Sequence, residues 1–235
     1  GLMVSFGEAT GQSIALDTVT NSGGAIVLQS AEDIMASLLD ASVTITADNA
    51  DVVSKDSGSI TLRAGRDISL PLGTSLFEGN LSALSQTVSE SGNVVGGDGG
   101  TIALTAGRDV LNASPVSVSF SSSSSMSGDV EGGNGGAISL IAGRDISFTD
   151  DDDGGNTFTS SSFSRSYSMS GDVEGGNGGA ISITAGSISL TDDDDGGGDI
   201  SNANASSFSS SSSMLGSVEG GNGGSIDLTA DGDIT

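Results

Sequence analysis

The chain has 235 residues, with 38 Gly, 2 Pro, 3% aromatics, no Cys, no His and no Trp. Its formal net charge is −25, from 31 acidic and 6 basic residues. That charge repels nucleic-acid phosphate and anionic membrane surfaces, no apolar run approaches the ~20 residues that span a bilayer, and no basic start followed by an apolar stretch marks a secretory signal. What remains is an ordered chain, because 34% of residues are hydrophobic and regularly spaced, with a core drawn from Ile, Leu, Val and Ala. Such a core suits thin, stacked layers.

Residues 1–25 form a less regular start. From residue 26 one phrase recurs. Residues 58–70 read GSITLRAGRDISL, 100–111 GTIALTAGRDVL, 136–148 GAISLIAGRDISF, 179–190 GAISITAGSISL and 224–235 GSIDLTADGDIT. Each alternates apolar and polar residues, turns at a small residue and alternates again. Period-two alternation predicts a strand with one buried face. In 136–148, Ile138 and Leu140 face inward, Ala142-Gly143 makes a corner, and Ile146 and Phe148 face inward from a second short strand. Gly at the corner permits backbone angles that other residues resist.

A serine-rich phrase sits between these: Phe120 to Met126, Phe163 to Met169 and Phe208 to Met214. Val130, Val173 or Val218 follows, then EGGNGG. The even Phe-to-Met spacing places both on one strand face, with odd-numbered serines alternating with them on the inner face. Buried hydroxyls there require stacked serines or main chain as partners, so the core is expected to be small and partly polar. The alternative is a flexible serine linker, which has no need of a fixed Phe-Met-Val spacing.

Apolar anchors fall at Ile26, Val43, Ile60, Leu84, Ile102, Phe120, Ile138, Phe163, Ile181, Phe208 and Ile226. Most steps are 17 or 18 residues, and the longer ones carry insertions. Residues 26–83 read as short coils and 84–235 as alternating Ile/Leu and Ser-rich coils. The expectation is an all-β chain: a parallel β-solenoid (β-helix) with about 17–18 residues per coil, continuous over 1–235. Stacked at the strand spacing, ten steps give a rod on the order of 50 Å. The Gly at the start and the break partway through a repeat at the end suggest a segment of a longer array.

The phrase G-G-x-I-x-L-x-A-G-x-D-I preceded by GNGG, clearest at Gly99–Val110, Gly135–Ile146 and Gly223–Ile234, resembles the repeats of filamentous haemagglutinin-type proteins, the large cyanobacterial members above all. The resemblance covers most of residues 24–235. It implies a right-handed parallel β-helix, two-partner secretion, and a role in adhesion or as a fibre at the outer cell surface of a bacterium. The serine-rich coils and tetra-aspartate insertions depart from the simple repeat.

Those insertions are the sharpest local feature: Asp150, Asp151, Asp152 and Asp153, then Asp192, Asp193, Asp194 and Asp195, each run followed by Gly-Gly. Both follow the same phrase, so both are expected at one edge, two coils or about 10 Å apart. Adjacent carboxylates need solvation or cations, and calcium (Ca2+) takes six to eight oxygens in irregular loops. The alternative is a solvated loop that holds rods apart. In GGNGG the residue after the last Gly is Ala137, Ala180 or Ser225, where calcium-binding nonapeptide repeats need Asp, so these glycines are read as tight turns. Arg66-Asp67, Arg108-Asp109 and Arg144-Asp145 recur at one phase, as a binding stripe or as an exposed ladder flanking a corner, and the stripe breaks at Ser187.

Without His or Cys, and with no base to partner Ser, catalysis has little support, so no enzyme is expected. The leading expectation is a structural adhesin rod or extracellular fibre subunit that continues into more chain or associates end to end with copies of itself. The runner-up is a ligand-binding solenoid for calcium or, less well supported, ice, since Thr61, Thr105 and Thr184 are scattered in the sequence.

Overall fold

The computed structural model describes residues 13–48, 50–70, 81–111, 116–150, 159–192 and 204–232. The chain enters through β1 (Ile14–Thr20) and then repeats one path. The first turn runs through β2 (Ile26–Ser30), β3 (Ile34–Asp40), β4 (Val43–Ala47) and β5 (Val52–Val53). The second has β6 (Ile60–Ala64), β7 (Ile68–Ser69), β8 (Leu81–Ser89) and β9 (Val94–Val95). The third has β10 (Ile102–Ala106), β11 (Val110–Leu111), β12 (Val116–Ser125) and β13 (Val130–Glu131). The fourth has β14 (Ile138–Ala142), β15 (Asp145–Asp150), β16 (Thr159–Ser168) and β17 (Val173–Glu174). The fifth has β18 (Ile181–Ala185), β19 (Ser187–Asp192), β20 (Asn204–Ser213) and β21 (Val218–Glu219), and β22 (Ile226–Ala230) opens another.

Like stacks on like, always in parallel. Sheet B is β2-β6-β10-β14-β18-β22, sheet C is β5-β9-β13-β17-β21, and an 11-stranded sheet A takes the remaining strands. No helix occurs among the described residues. The expected fold class is the observed one, an all-β parallel solenoid.

The length of a turn differs from the expectation of 17–18 residues. Ile26 pairs with Ile60, Ile60 with Ile102, Ile102 with Ile138, Ile138 with Ile181 and Ile181 with Ile226. Equivalent positions are 34, 42, 36, 43 and 45 residues apart. One turn takes two phrases, the Ile/Leu phrase and the serine phrase, and the five stacking steps span about 25 Å at the strand spacing instead of ~50 Å.

The physical reason for the half-period is a waist. Gly58 N–H donates across the turn to the Ala41 carbonyl (2.9 Å), and Gly100 N–H to the Ala83 carbonyl (3.3 Å). Sheet A forms one long wall, sheets B and C the other, and the glycine between C and B dips inward to close one lobe from the next. The lobe between sheet B and the first part of sheet A holds the aliphatic core: Ile60, Leu62, Ile68, Ile102, Leu104, Ile138, Leu140 and Ile146 are all buried. Among the described residues the other lobe has a separate apolar column of Val94, Val130 and Val173, and its further buried positions include Ser85, Thr87, Ser89, Ser125, Ser166 and Ser168.

In β8 the buried positions are Leu81, Ala83, Ser85, Thr87 and Ser89, so Leu84 lies on the outward alternation, half-buried. Phe120 and Phe163 share its register column, and Phe208 continues it. Met126, Met169 and Met214 are 56%, 38% and 67% exposed. The expectation that Phe and Met share an inner face is therefore corrected for Met, as is Leu84 as a core anchor. Ser125, Ser166 and Ser168 line the interior instead.

At the amino-terminal end β1 lies one short turn, 20 residues, below β3. Ile14, Leu16 and Val19 pack against the aliphatic lobe there.

Candidate functional site

Four polar side-chain columns run along the rod. The first is the arginine staircase. Arg66 Nε donates to Asp33 Oδ1 at 3.0 Å and Arg108 Nε to Asp67 Oδ1 at 3.1 Å, and the terminal nitrogens of Arg66, Arg108 and Arg144 pair with Asp33, Asp67 and Asp109. Each Arg thus binds the carboxylate one turn earlier. The same carboxylates accept backbone N–H bonds from Asp67, Asp109 and Asp145. The stripe is an internal ladder at a corner, half exposed, and its charge is spent on itself. At the top step the shortened phrase substitutes Ser187, whose hydroxyl donates to Asp145 Oδ1 at 2.6 Å. The Arg66 guanidinium beside Asp33, helped by the Asp67 N–H and opposed by slight desolvation, lowers the Asp33 pKa from 3.8 to about 2.

Two further columns, beside sheet C, were not singled out from sequence. Asp51 Oδ1 accepts the N–H of Asn93, Asn93 Oδ1 that of Asp129, Asp129 Oδ1 that of Asp172 and Asp172 Oδ1 that of Ser217, at 2.7–2.9 Å. Asp56, Asp98, Asn134, Asn177 and Asn222 repeat the device through the GGNGG segments. A short side-chain oxygen reaching the next turn's N–H satisfies backbone where the strands have ended. The signal was available as Asp or Asn at constant phase, one residue before the Val of sheet C.

The fourth column is buried. Ser125 Oγ donates to Gly92 O and accepts from Gly128 N; Ser168 Oγ does the same between Gly128 and Gly171. Ser89 and Ser213 extend it at either end. The expected main-chain partners for buried serines are present. One position inward, Thr87, Ser166 and Ser211 fall in one register with Ser123, and the hydroxyls of Thr87, Ser166 and Ser211 find no hydrogen-bond partner.

The glycines of EGGNGG face these serines. A Cβ on Gly132 would stand 2.0 Å from Ser166 Oγ, and one on Gly175 1.9 Å from Ser211 Oγ. Among the described residues only Gly23 has a positive φ. The reading of these glycines as tight turns, and of Gly143 as a corner needing special angles, is corrected. At Gly132 and Gly175 the opposite wall occupies the space a side chain needs, and at Gly143 the obstacle is the Gly107 carbonyl of the neighbouring turn, 2.3 Å away.

Of the acidic insertions, Asp151, Asp152, Asp153, Asp193, Asp194 and Asp195 lie outside the described residues. Asp150 and Asp192 end β15 and β19 and are register partners. The two insertions therefore leave one edge, as expected, but from adjacent turns about 4.8 Å apart instead of two coils apart. Among the described residues no group of three or more His, Cys, Asp or Glu is arranged to hold a metal ion, and no helix is long and apolar enough to cross a membrane. On sheet B, Thr105, Thr184 and Thr229 share one register column interrupted by Ile141, while Thr61 belongs to the next.

The chain matches no protein-family model, no curated protein and no solved structure.

Proposed function

We propose that the chain is a non-enzymatic structural rod, a stretch of a secreted or cell-surface bacterial adhesin or extracellular fibre. The observation that carries this reading is the use of the polar side chains. Arg66, Arg108 and Arg144, the Asp and Asn columns, and the Ser89, Ser125, Ser168 and Ser213 column are consumed in ladders that tie each turn to the next, so most of the polar chemistry of the repeat is spent on stacking. The likeness of its phrase to filamentous haemagglutinin-type repeats supports the cellular setting. Electron microscopy of the purified chain, with antibody labelling of intact producing cells, tests the proposal. Rods or fibres and surface label are expected; compact particles and label only after lysis would refute it.

A calcium-binding reading is favoured by one observation, the in-register placement of Asp150 and Asp192. Four-carboxylate runs leaving adjacent turns would bring hard oxygen ligands together. Isothermal titration with millimolar Ca2+ should give heat that is lost when residues 150–153 and 192–195 are changed to Asn. Absence of heat from the unaltered chain rejects it.

A further inference from the structure

Two Asn-Gly pairs of the GGNGG segments, Asn134-Gly135 and Asn177-Gly178, lie between stacked turns. Asn-Gly is the dipeptide most open to self-cyclisation, because glycine sets no side chain beside the main-chain nitrogen that attacks the amide. Both asparagines are exposed to water, yet both are clamped. Asn134 Nδ2 donates to Asp98 Oδ1 at 3.1 Å, and Asn134 Oδ1 accepts the Asn177 N–H at 2.8 Å. Asn177 Nδ2 donates to Asn134 Oδ1 at 3.2 Å, and Asn177 Oδ1 accepts the Asn222 N–H at 2.8 Å. The nitrogens next in sequence are held too: Gly135 N–H donates to the Asn177 carbonyl and Gly178 N–H to the Asn222 carbonyl, each at 2.8 Å.

We propose that Asn134 and Asn177 are modification sites, converted to Asp or isoaspartate when the turn stacked on them lifts and shielded while it stays. At Asn134 the Gly135 nitrogen gives its proton to hydroxide and bonds to Cγ. The Cγ–Nδ2 bond breaks, and ammonia leaves with a proton from water. A second water opens the imide ring, cleaving either the new N–Cγ bond to give Asp or the original peptide C–N bond to give isoaspartate. In the stack the Gly135 proton is engaged by a carbonyl, so the nitrogen is bared only by giving up that bond. Turning the Asn134 amide toward it breaks the bonds to Asp98 and Asn177 as well. Stacking is therefore the gate. The Asp product still has an acceptor for the next turn, as Asp56 and Asp98 do in the same column. It loses the donor to Asp98, however, and sets two carboxylates about 4.8 Å apart. Isoaspartate lengthens the main chain by one carbon and takes the following residues out of register. A turn that has reacted restacks poorly, so the modification is a one-way mark of opening.

The full chain, held at pH 8 and 37 °C and then digested for tandem mass spectrometry, tests this. Conversion at both sites should be slower by at least about tenfold in buffer than in guanidinium that unfolds the chain; equal rates would overturn the proposal. Two glycine variants read the gate turn by turn. A Cβ on Gly171 would stand 2.2 Å from the Gly128 carbonyl, between the two turns that clamp Asn134, and one on Gly216 2.1 Å from the Gly171 carbonyl, between the two that clamp Asn177. Gly171→Ala should speed conversion at Asn134 above that at Asn177, and Gly216→Ala should reverse the order. With native circular dichroism, an order that stays the same in both variants would overturn stacking as the gate. A variant that does not fold converts both sites at the unfolded rate, and the unaltered chain in buffer against guanidinium then decides.

Discussion

Arg108 forks onto the carboxylate of Asp67, one turn earlier, rather than onto Asp109 beside it in sequence. Asp67 Oδ1 also accepts the N–H of Asp109, so one carboxylate ties two groups of the next turn. Asp67→Ala should lower stability by ~1–2 kcal/mol, combining a half-exposed ion pair with a lost backbone partner. Asp67→Asn should cost less, because an amide oxygen still accepts the N–H. Urea unfolding midpoints of the two variants give the comparison.

Two inward serines on one strand should respond in opposite ways. Ser168 donates to Gly128 O and accepts from Gly171 N, so Ser168→Ala strands both and should cost ~1–3 kcal/mol. Ser166 is equally buried and its hydroxyl has no partner, so Ser166→Ala should be neutral or stabilising. Thermal unfolding of the pair, with exposed Ser170→Ala as control, decides it.

Glycine substitutions should separate by what stands above and below them. A Cβ on Gly171 would lie 2.2 Å from the Gly128 carbonyl, whereas nothing lies within 4 Å of one on Gly220. Gly171→Ala should cost ~3 kcal/mol or more by forcing adjacent turns apart, and Gly220→Ala should change stability by no more than ~0.5 kcal/mol. Hydrogen exchange on the flanking turns would show the separation locally.

These contrasts mark how much was legible beforehand. The alternation in Ile138–Leu140 and its copies identified one-face-buried strands, and the recurrence of the phrase at a regular spacing identified their parallel stacking. The turn length was hidden because both phrases span 17–18 residues and both begin on a large apolar residue. Only backbone pairing shows that Ile102 stacks on Ile60 and not on Leu84. The inner face of the serine strand was also illegible from hydrophobicity, which favours Phe and Met. Its interior is set by the opposite wall, where glycine backbone at Gly132 and Gly175 leaves room for a hydroxyl and nothing larger. Of the candidate calcium residues, the register of Asp150 and Asp192 is the part that the fold makes visible.

Acid should act in two stages. With a net charge of −25, partial protonation below neutrality relieves self-repulsion and should raise stability at first. Asp33 works the other way. Its folded pKa of about 2 lies below its ordinary 3.8, so its contribution is present above pH 4 and disappears as pH falls through 2. Asp33→Asn should flatten that last limb while leaving the earlier rise intact, as read by melting temperature between pH 7 and pH 2.

Each Asp or Asn of the outer columns accepts a backbone N–H from roughly 40 positions later in the chain. Peeling one turn away therefore strips hydrogen bonds from both of its neighbours at once, so damage to a single turn should spread along the column instead of staying local.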